Sequence, residues 1–159
     1  MVNVKIKKLN PNAIIPTKGS KDAAAYDLYA CITDQTFIPW EGGGEKRGVK
    51  IMPHTTVKIG TGISTEIPVG YWGAILARSG LSTKQGLRPA NCLGCVDADY
   101  RGEWIVALHN DSSEVQIVEN GERIAQMMIL PALDTALEEV DELGVTDRGE
   151  GGFGSSGKF

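Results

Sequence analysis

A two-residue alternation of apolar and polar side chains, broken at short intervals by turn residues, constrains this chain more than any other feature. Val2, Val4 and Ile6 alternate with Asn3, Lys5 and Lys7, and Val57, Ile59, Ile63 and Ile67 keep one phase with Thr61 and Thr65 filling in. Successive side chains of a strand point to opposite faces, so this pattern predicts half-buried strands. Residues 71–76, 104–108 and 124–130 are denser apolar runs and predict strands covered on both faces. Pro16, Pro39, Pro53-His54, Pro68, Gly70, Asn110-Asp111 and Asn120-Gly121 punctuate the runs as turns. Helix has little room: residues 79–85 predict a short one stopped by Gly86, and residues 136–143 suit a helix or a strand equally. Many short strands at such spacing make an all-β sandwich, jelly roll or barrel.

Bulk properties narrow the function. A length of 159 residues suits one domain with one core. No run approaches the roughly 18 apolar residues of a spanning helix, and no membrane partner is expected. The net charge is −4 and the lysines at 5, 7 and 8 alternate with apolar residues, so the basic face of a nucleic-acid binder is missing. Arg78, Arg101, Arg123 and Arg148 stand singly, which suits one small anionic ligand better than a polymer. The three cysteines, Cys31, Cys92 and Cys95, and an N-terminus without a continuous apolar stretch predict a reducing, cytoplasmic setting. Cys92 and Cys95 form a CxxC, but Cys31, His54 and His109 lack the spacing to complete a zinc site, so a pair of small reduced side chains is favoured. The polar stretch 41–50, with consecutive glycines at 42–44, predicts an exposed hairpin tip or arm: a surface loop first, a site for an unknown protein partner second.

Five segments are richer in chemistry than a scaffold requires. In AAYDLYA, Asp27 interrupts an apolar strand, which is costly unless it is paired. It could cap a turn or reach a metal through water. In ARSGLS, a strand gives way to a helix start where Arg78, Ser79 and Gly80 could present donors to an anion, or where Ser79 could simply cap the helix. Residues 91–103, NCLGCVDADYRGE, resemble a hairpin whose descending side is acidic and aromatic. In GERIAQ, Gln126 begins an apolar run and needs a partner, either a phosphate oxygen or a backbone group. The tail RGEGGFGSSG sets Arg148, Phe153 and the serines 155 and 156 among glycines. Such ends are commonly only flexible, yet glycines also let a backbone approach a polyphosphate.

Taken together and in this order, AAYDLYA, ARSGLS, GCVDADYRGE, GERIAQ and DRGEGGFGSSG resemble the trimeric dUTP pyrophosphatase (dUTPase) family from about residue 4 to the C-terminus. The resemblance implies an all-β, distorted jelly-roll barrel with at most one or two short helices, assembling as a homotrimer whose active sites draw on all three chains. It implies a barrel over residues 1–147 and a flexible Gly-rich arm, 148–159, that closes a site. It implies Mg²⁺-assisted conversion of dUTP to dUMP and pyrophosphate, which keeps uracil out of DNA and supplies dUMP for dTMP synthesis. Asp97 matches the residue that directs the attacking water. Asp27 matches the aspartate that reaches Mg²⁺ through water, the metal being held mainly by substrate phosphates. Arg78, Ser79, Gly80 and Gln126 match phosphate contacts. Asn91, Gly94 and Val96 match the uracil-reading hairpin, and Tyr100 matches the ring beneath the deoxyribose. Arg148, Phe153, Gly154, Ser155 and Ser156 match the closing arm, with Phe153 over the base. Ala25 stands where glycine is common, the CxxC falls in the reading hairpin, where its oxidation would distort base recognition, and the 41–50 segment is longer than usual. Two alternatives remain at this point: a dCTP deaminase of the same fold, and a non-catalytic module that uses a nucleotide as a switch.

Overall fold

The computed structural model describes residues 1–33, 45–155 and the backbone of 37–39. Among these residues there are thirteen strands and one helix. The strands are β1 (Lys5–Lys8), β2 (Thr17–Lys18), β3 (Tyr26–Tyr29), β4 (Phe37–Pro39), β5 (Glu45–Ile51), β6 (Thr56–Gly60), β7 (Ile63–Glu66) and β8 (Tyr71–Leu76). The helix α1 (Ser79–Gln85) follows, and then β9 (Leu87–Pro89), β10 (Gly94–Val96), β11 (Ile105–Asn110), β12 (Gln116–Glu119) and β13 (Arg123–Pro131).

The strands pair antiparallel in sheets of order β10-β8-β13-β3-β2, β6-β11-β9, β12-β5-β4 and β1-β7. They wrap one core as a distorted jelly roll. Leu28, Ile51, Ile63, Leu87, Leu108, Val118 and Ile124 are fully buried in it. On the phase read from residues 57–67, Ile59, Thr61, Ile63, Thr65 and Ile67 are buried and Val57 is half-buried, but Gly62 and Ser64 on the other phase are buried as well, so 61–65 is covered on both faces. The two threonines are tolerated there because they are satisfied by Trp104. Thr61 Oγ1 donates to the Trp104 carbonyl (2.6 Å), and the indole Nε1 donates to Thr65 Oγ1 (3.0 Å). Trp104 in turn needs a hole on β8, since a Cβ at Gly73 would overlap its ring, 2.8 Å from Cζ2 and closer still to Cη2.

The expected helix forms at the expected place. Its last turn is closed by Gly86 in the left-handed region (φ 69°), whose N–H donates to the Leu81 carbonyl. Three expectations need correction. Residues 45–50 are not part of a loop but belong to β5, which pairs with both β4 and β12; the rest of that segment, 41–44, lies outside the described residues. Residues 104–108 are covered on one face only: Trp104, Val106 and Leu108 are buried while Ile105 is exposed. Residues 136–143 form neither helix nor strand, because residues 132–155 run on from β13 with almost every side chain left exposed among the described residues. Leu133, Leu137, Leu143, Val145 and Phe153 are each more than four-fifths exposed. No helix among the described residues is long and apolar enough to cross a membrane.

Candidate active site

Two groups of the candidate residues are assembled within one chain, and a third is left apart. The first centres on Asp27. On β3 its Cα is in register with Gln126 of β13, and Gln126 is in register with Leu76 at the end of β8. The chain leaving β8 therefore delivers Arg78 beside the same carboxylate. Asp27 is only 4% exposed. Its Oδ1 accepts from Gln126 Nε2 (3.4 Å) and lies 3.8 Å from Arg78 Nε, while its Oδ2 accepts from Arg123 Nη1 (3.3 Å). A carboxylate so buried is strongly disfavoured unless paired, and two guanidinium groups supply the pairing.

Arg123 was not among the residues singled out for the site, and local backbone geometry explains why. Counted back from Gln126, strict alternation would put Arg123 on the face of Ala125, which is fully buried. The pairing of β13 with β3 instead shifts between Arg123 and Ala125: Ala125 opposes Leu28, but Arg123 opposes Tyr29. This β-bulge reverses the parity, leaves both Ile124 and Ala125 in the core, and turns Arg123 toward Asp27. The only sequence signal is its solitary position within GERIAQ.

Arg78 also occupies the N-cap of α1 with extended backbone (φ −91°, ψ 121°), and no side chain caps that end. The Ser79 hydroxyl is thus not a cap, and Ser79 and Gly80 head a helix start whose first N–H groups remain open.

The second group is built on the hairpin between β9 and β10. β9 pairs with β11 and β10 with β8, so the hairpin bridges two sheets. A Cβ at Gly94 would stand 2.9 Å from that of Ile75, which shows how closely the hairpin is seated on β8. Below it lies a cavity of about 190 Å³ lined by Asn91, Gly94, Val96, Asp97, Tyr100 and Trp104, among others. Asp97 is exposed at its edge, and among the described residues the one polar contact of its carboxylate is the Cys95 thiol, which donates to Oδ1 at 3.8 Å. Burial, and then the neighbouring Asp97 charge, push the Cys95 thiol above its usual 9.0, so it stays protonated at neutral pH. Cys92 and Cys95 are both free and exposed.

The third group is the tail. Arg148 Nε donates to the Gly151 carbonyl (2.8 Å) within the tail itself, and Phe153, Gly154 and Ser155 are exposed. Ser156 lies outside the described residues. Among the described residues, no hydrogen bond or ion pair joins the tail to either of the other groups, or those two to each other.

Comparison with known proteins fits this arrangement. The dUTPase family model matches residues 45–157. The deoxyuridine 5'-triphosphate nucleotidohydrolase of Nautilia profundicola is 43% identical over 99% of this chain and 100% of its own length. That of Escherichia phage T5 is 43% identical, with 97% of this chain and 98% of its own covered. Among solved structures, the Staphylococcus bacteriophage 80alpha dUTPase with dUPNHPP superposes with a TM-score of 0.77 at 29% identity, covering 98% of each chain. With a matched fold, matched length and the five motifs in place, the chain belongs to the dUTPase family.

Proposed function

We propose that this protein hydrolyses dUTP to dUMP and pyrophosphate in sites shared between three copies, keeping uracil out of DNA and supplying dUMP for dTMP synthesis. The observation that carries the proposal is the cavity under the 91–96 hairpin, with an exposed carboxylate, Asp97, at its rim that no cation among the described residues pairs. A tight hairpin presents fixed backbone donors and acceptors. Uracil offers an acceptor at O4 and a donor at N3, cytosine the reverse, and each mismatched group costs roughly 1–3 kcal/mol. Asp97 orients a water molecule and takes up its proton as the water oxygen bonds to the α-phosphorus. The bond from that phosphorus to the bridging oxygen breaks, and pyrophosphate leaves with the electron pair. Arg78, with Ser79, Gly80 and Gln126, holds the phosphates at the open helix start.

Mg²⁺ fits the donor set in one way only. Among the described residues no three His, Cys, Asp or Glu side chains converge on a point, so the phosphates must supply most of the ligands. Both Asp27 oxygens are already engaged by Gln126, Arg78 and Arg123, which suits a role toward the metal through water rather than as a direct ligand. When bound, the cation offsets the negative charge of the phosphate oxygens.

Trimer formation is supported by what the isolated chain leaves exposed. Leu133, Leu137, Leu143 and Val145 are bare in the segment leading to the arm. The groove lined by Val4, Ile6, Ile15, Tyr26, Met127 and Ile129, with Asn3 and Thr65 among them, is a half-apolar surface that such a segment could cover in a neighbour. On this reading residues 1–147 form the enzyme body, and the arm at 148–159 closes a site with Arg148 and the serines on phosphate and Phe153 over the base. Three free cysteines suit the cytoplasm. The test is pyrophosphate release with Mg²⁺ from dUTP and each of the four common dNTPs, alongside light scattering for subunit number. Release confined to dUTP by a trimer is expected; release from all five, or deamination of dCTP, would overturn the proposal.

A further inference from the structure

We propose that Gly102, together with the Glu103 carbonyl, is the determinant that selects deoxyribose over ribose, by forming a seat that fixes the Tyr100 ring. The inference rests on the proposed dUTP hydrolysis, with Tyr100 packing beneath the sugar.

Tyr100 is 44% exposed, and a side chain so open would ordinarily sample several rotamers. Here its ring folds back over its own loop. A Cβ at Gly102 would lie 2.5 Å from Tyr100 Cζ and 3.0 Å from Cε2, and it would overlap the hydroxyl more closely still. Only a residue without a side chain at 102 leaves the ring this position. The hydroxyl then donates to the Glu103 carbonyl at 3.1 Å.

The seat is itself rigid. Glu103 Oε1 accepts the Gly62 N–H at 2.7 Å, and the Trp104 N–H donates to the Ile63 carbonyl at 2.9 Å. Thr61 donates to the Trp104 carbonyl through both its N–H (3.2 Å) and its hydroxyl (2.6 Å). Residues 103–104 are therefore stapled to the turn between β6 and β7. At the other end the Tyr100 N–H donates to the Asp97 carbonyl at 3.2 Å. A sugar-excluding surface must be held to within a fraction of the size of one hydroxyl, and this network does so from outside the ligand.

Gly102 does not have a left-handed φ, so its backbone accepts alanine without strain. The obstruction is the far end of a side chain, which can move. Gly102→Ala is thus a probe that displaces the ring while leaving the chain path intact, so that a sugar no longer meets it in its fixed position. The experiment measures kcat/KM for dUTP and for UTP in the wild type, Gly102→Ala and Tyr100→Phe. In Gly102→Ala the dUTP-to-UTP ratio is expected to fall about tenfold or more, with the dUTP loss chiefly in KM. Tyr100→Phe keeps the ring and removes only the tether, so a smaller fall of a few-fold is expected, and this variant decides the matter if Gly102→Ala does not fold. A wild-type ratio in both variants, or in Tyr100→Phe alone when it is the only folded one, overturns the inference. Absence of dUTP turnover in the wild type overturns the underlying reading first, and is thereby distinguishable.

Discussion

Asp27 and Asp97 carry the same side chain into opposite surroundings. Asp27 is 4% exposed and touched by Arg78, Arg123 and Gln126, which belong to or adjoin β8 and β13. Asp97 is exposed, past the end of β10, with a single weak thiol contact. Two guanidinium groups and a buried carboxylate form a charge arrangement fixed before any ligand arrives. An open carboxylate at a cavity mouth has its lone pairs free for water. The first environment suits holding and orienting; the second suits proton transfer. The difference predicts that substitutions at the two positions separate stability from turnover.

Asp97→Asn offers the sharpest break. It removes the proton acceptor but no buried partner, so kcat is expected to fall by about 10³ or more while the melting temperature stays within about a degree of wild type. A matching loss of stability would show that Asp97 has structural partners after all. Truncation after Gly149 ranks next. Among the described residues the tail bonds to neither aspartate's group within one chain, so its loss should lower kcat by about a hundredfold or more and leave the subunit assembly, followed by light scattering, unchanged. Near-normal kcat would remove the closing role. Asp27→Asn should show the reverse of the first pattern: a loss of about 2 kcal/mol in denaturant unfolding, from two arginines left facing a neutral group, with a rise in KM. Unchanged stability would mean that the pairing is not what holds this group together.

A third aspartate grades the comparison. Asp111 is exposed, and the hydrogen bonds from Arg88 (2.5 and 3.1 Å) hold its carboxyl below the usual 3.8. A folded-state value below the unfolded one stabilises above the unfolded value and is lost as pH falls through the lower one. Asp111→Asn should therefore lower the melting temperature slightly at neutral pH, and the difference should vanish as the pH drops well below 3.8. A difference that persists in acid would assign the effect to something other than the ion pair.

Much of this was legible in the sequence because strands write their faces with a period of two. The phase of 57–67 and the Gly86 stop translate directly into burial and a helix end. Four of the five segments bring Asp27, Arg78 and Gln126 to one place and Asn91, Gly94, Val96, Asp97 and Tyr100 to another. What was not legible depends on backbone irregularity or on surface that a single chain leaves open. Residues 45–50 look like a loop because their composition is polar, yet pairing with β4 and β12 makes them a strand. Residues 136–143 have helix formers but no packing face to reward a helix. Arg123 is hidden by a shift of one residue in register, which no count of spacing reveals.

That shift has a consequence of its own. A strand has two sides and no intermediate, so an extra residue acts as a switch of parity rather than a small displacement. Paired without the bulge, the same residues would carry Arg123 to the opposite side of β13 and leave Asp27 one cation short, whereas deleting Ile124 would straighten the ladder with Arg123 still on the face of Gln126. The second guanidinium of the charge cluster is thus placed by the irregular pairing of β13 with β3 as much as by the arginine itself.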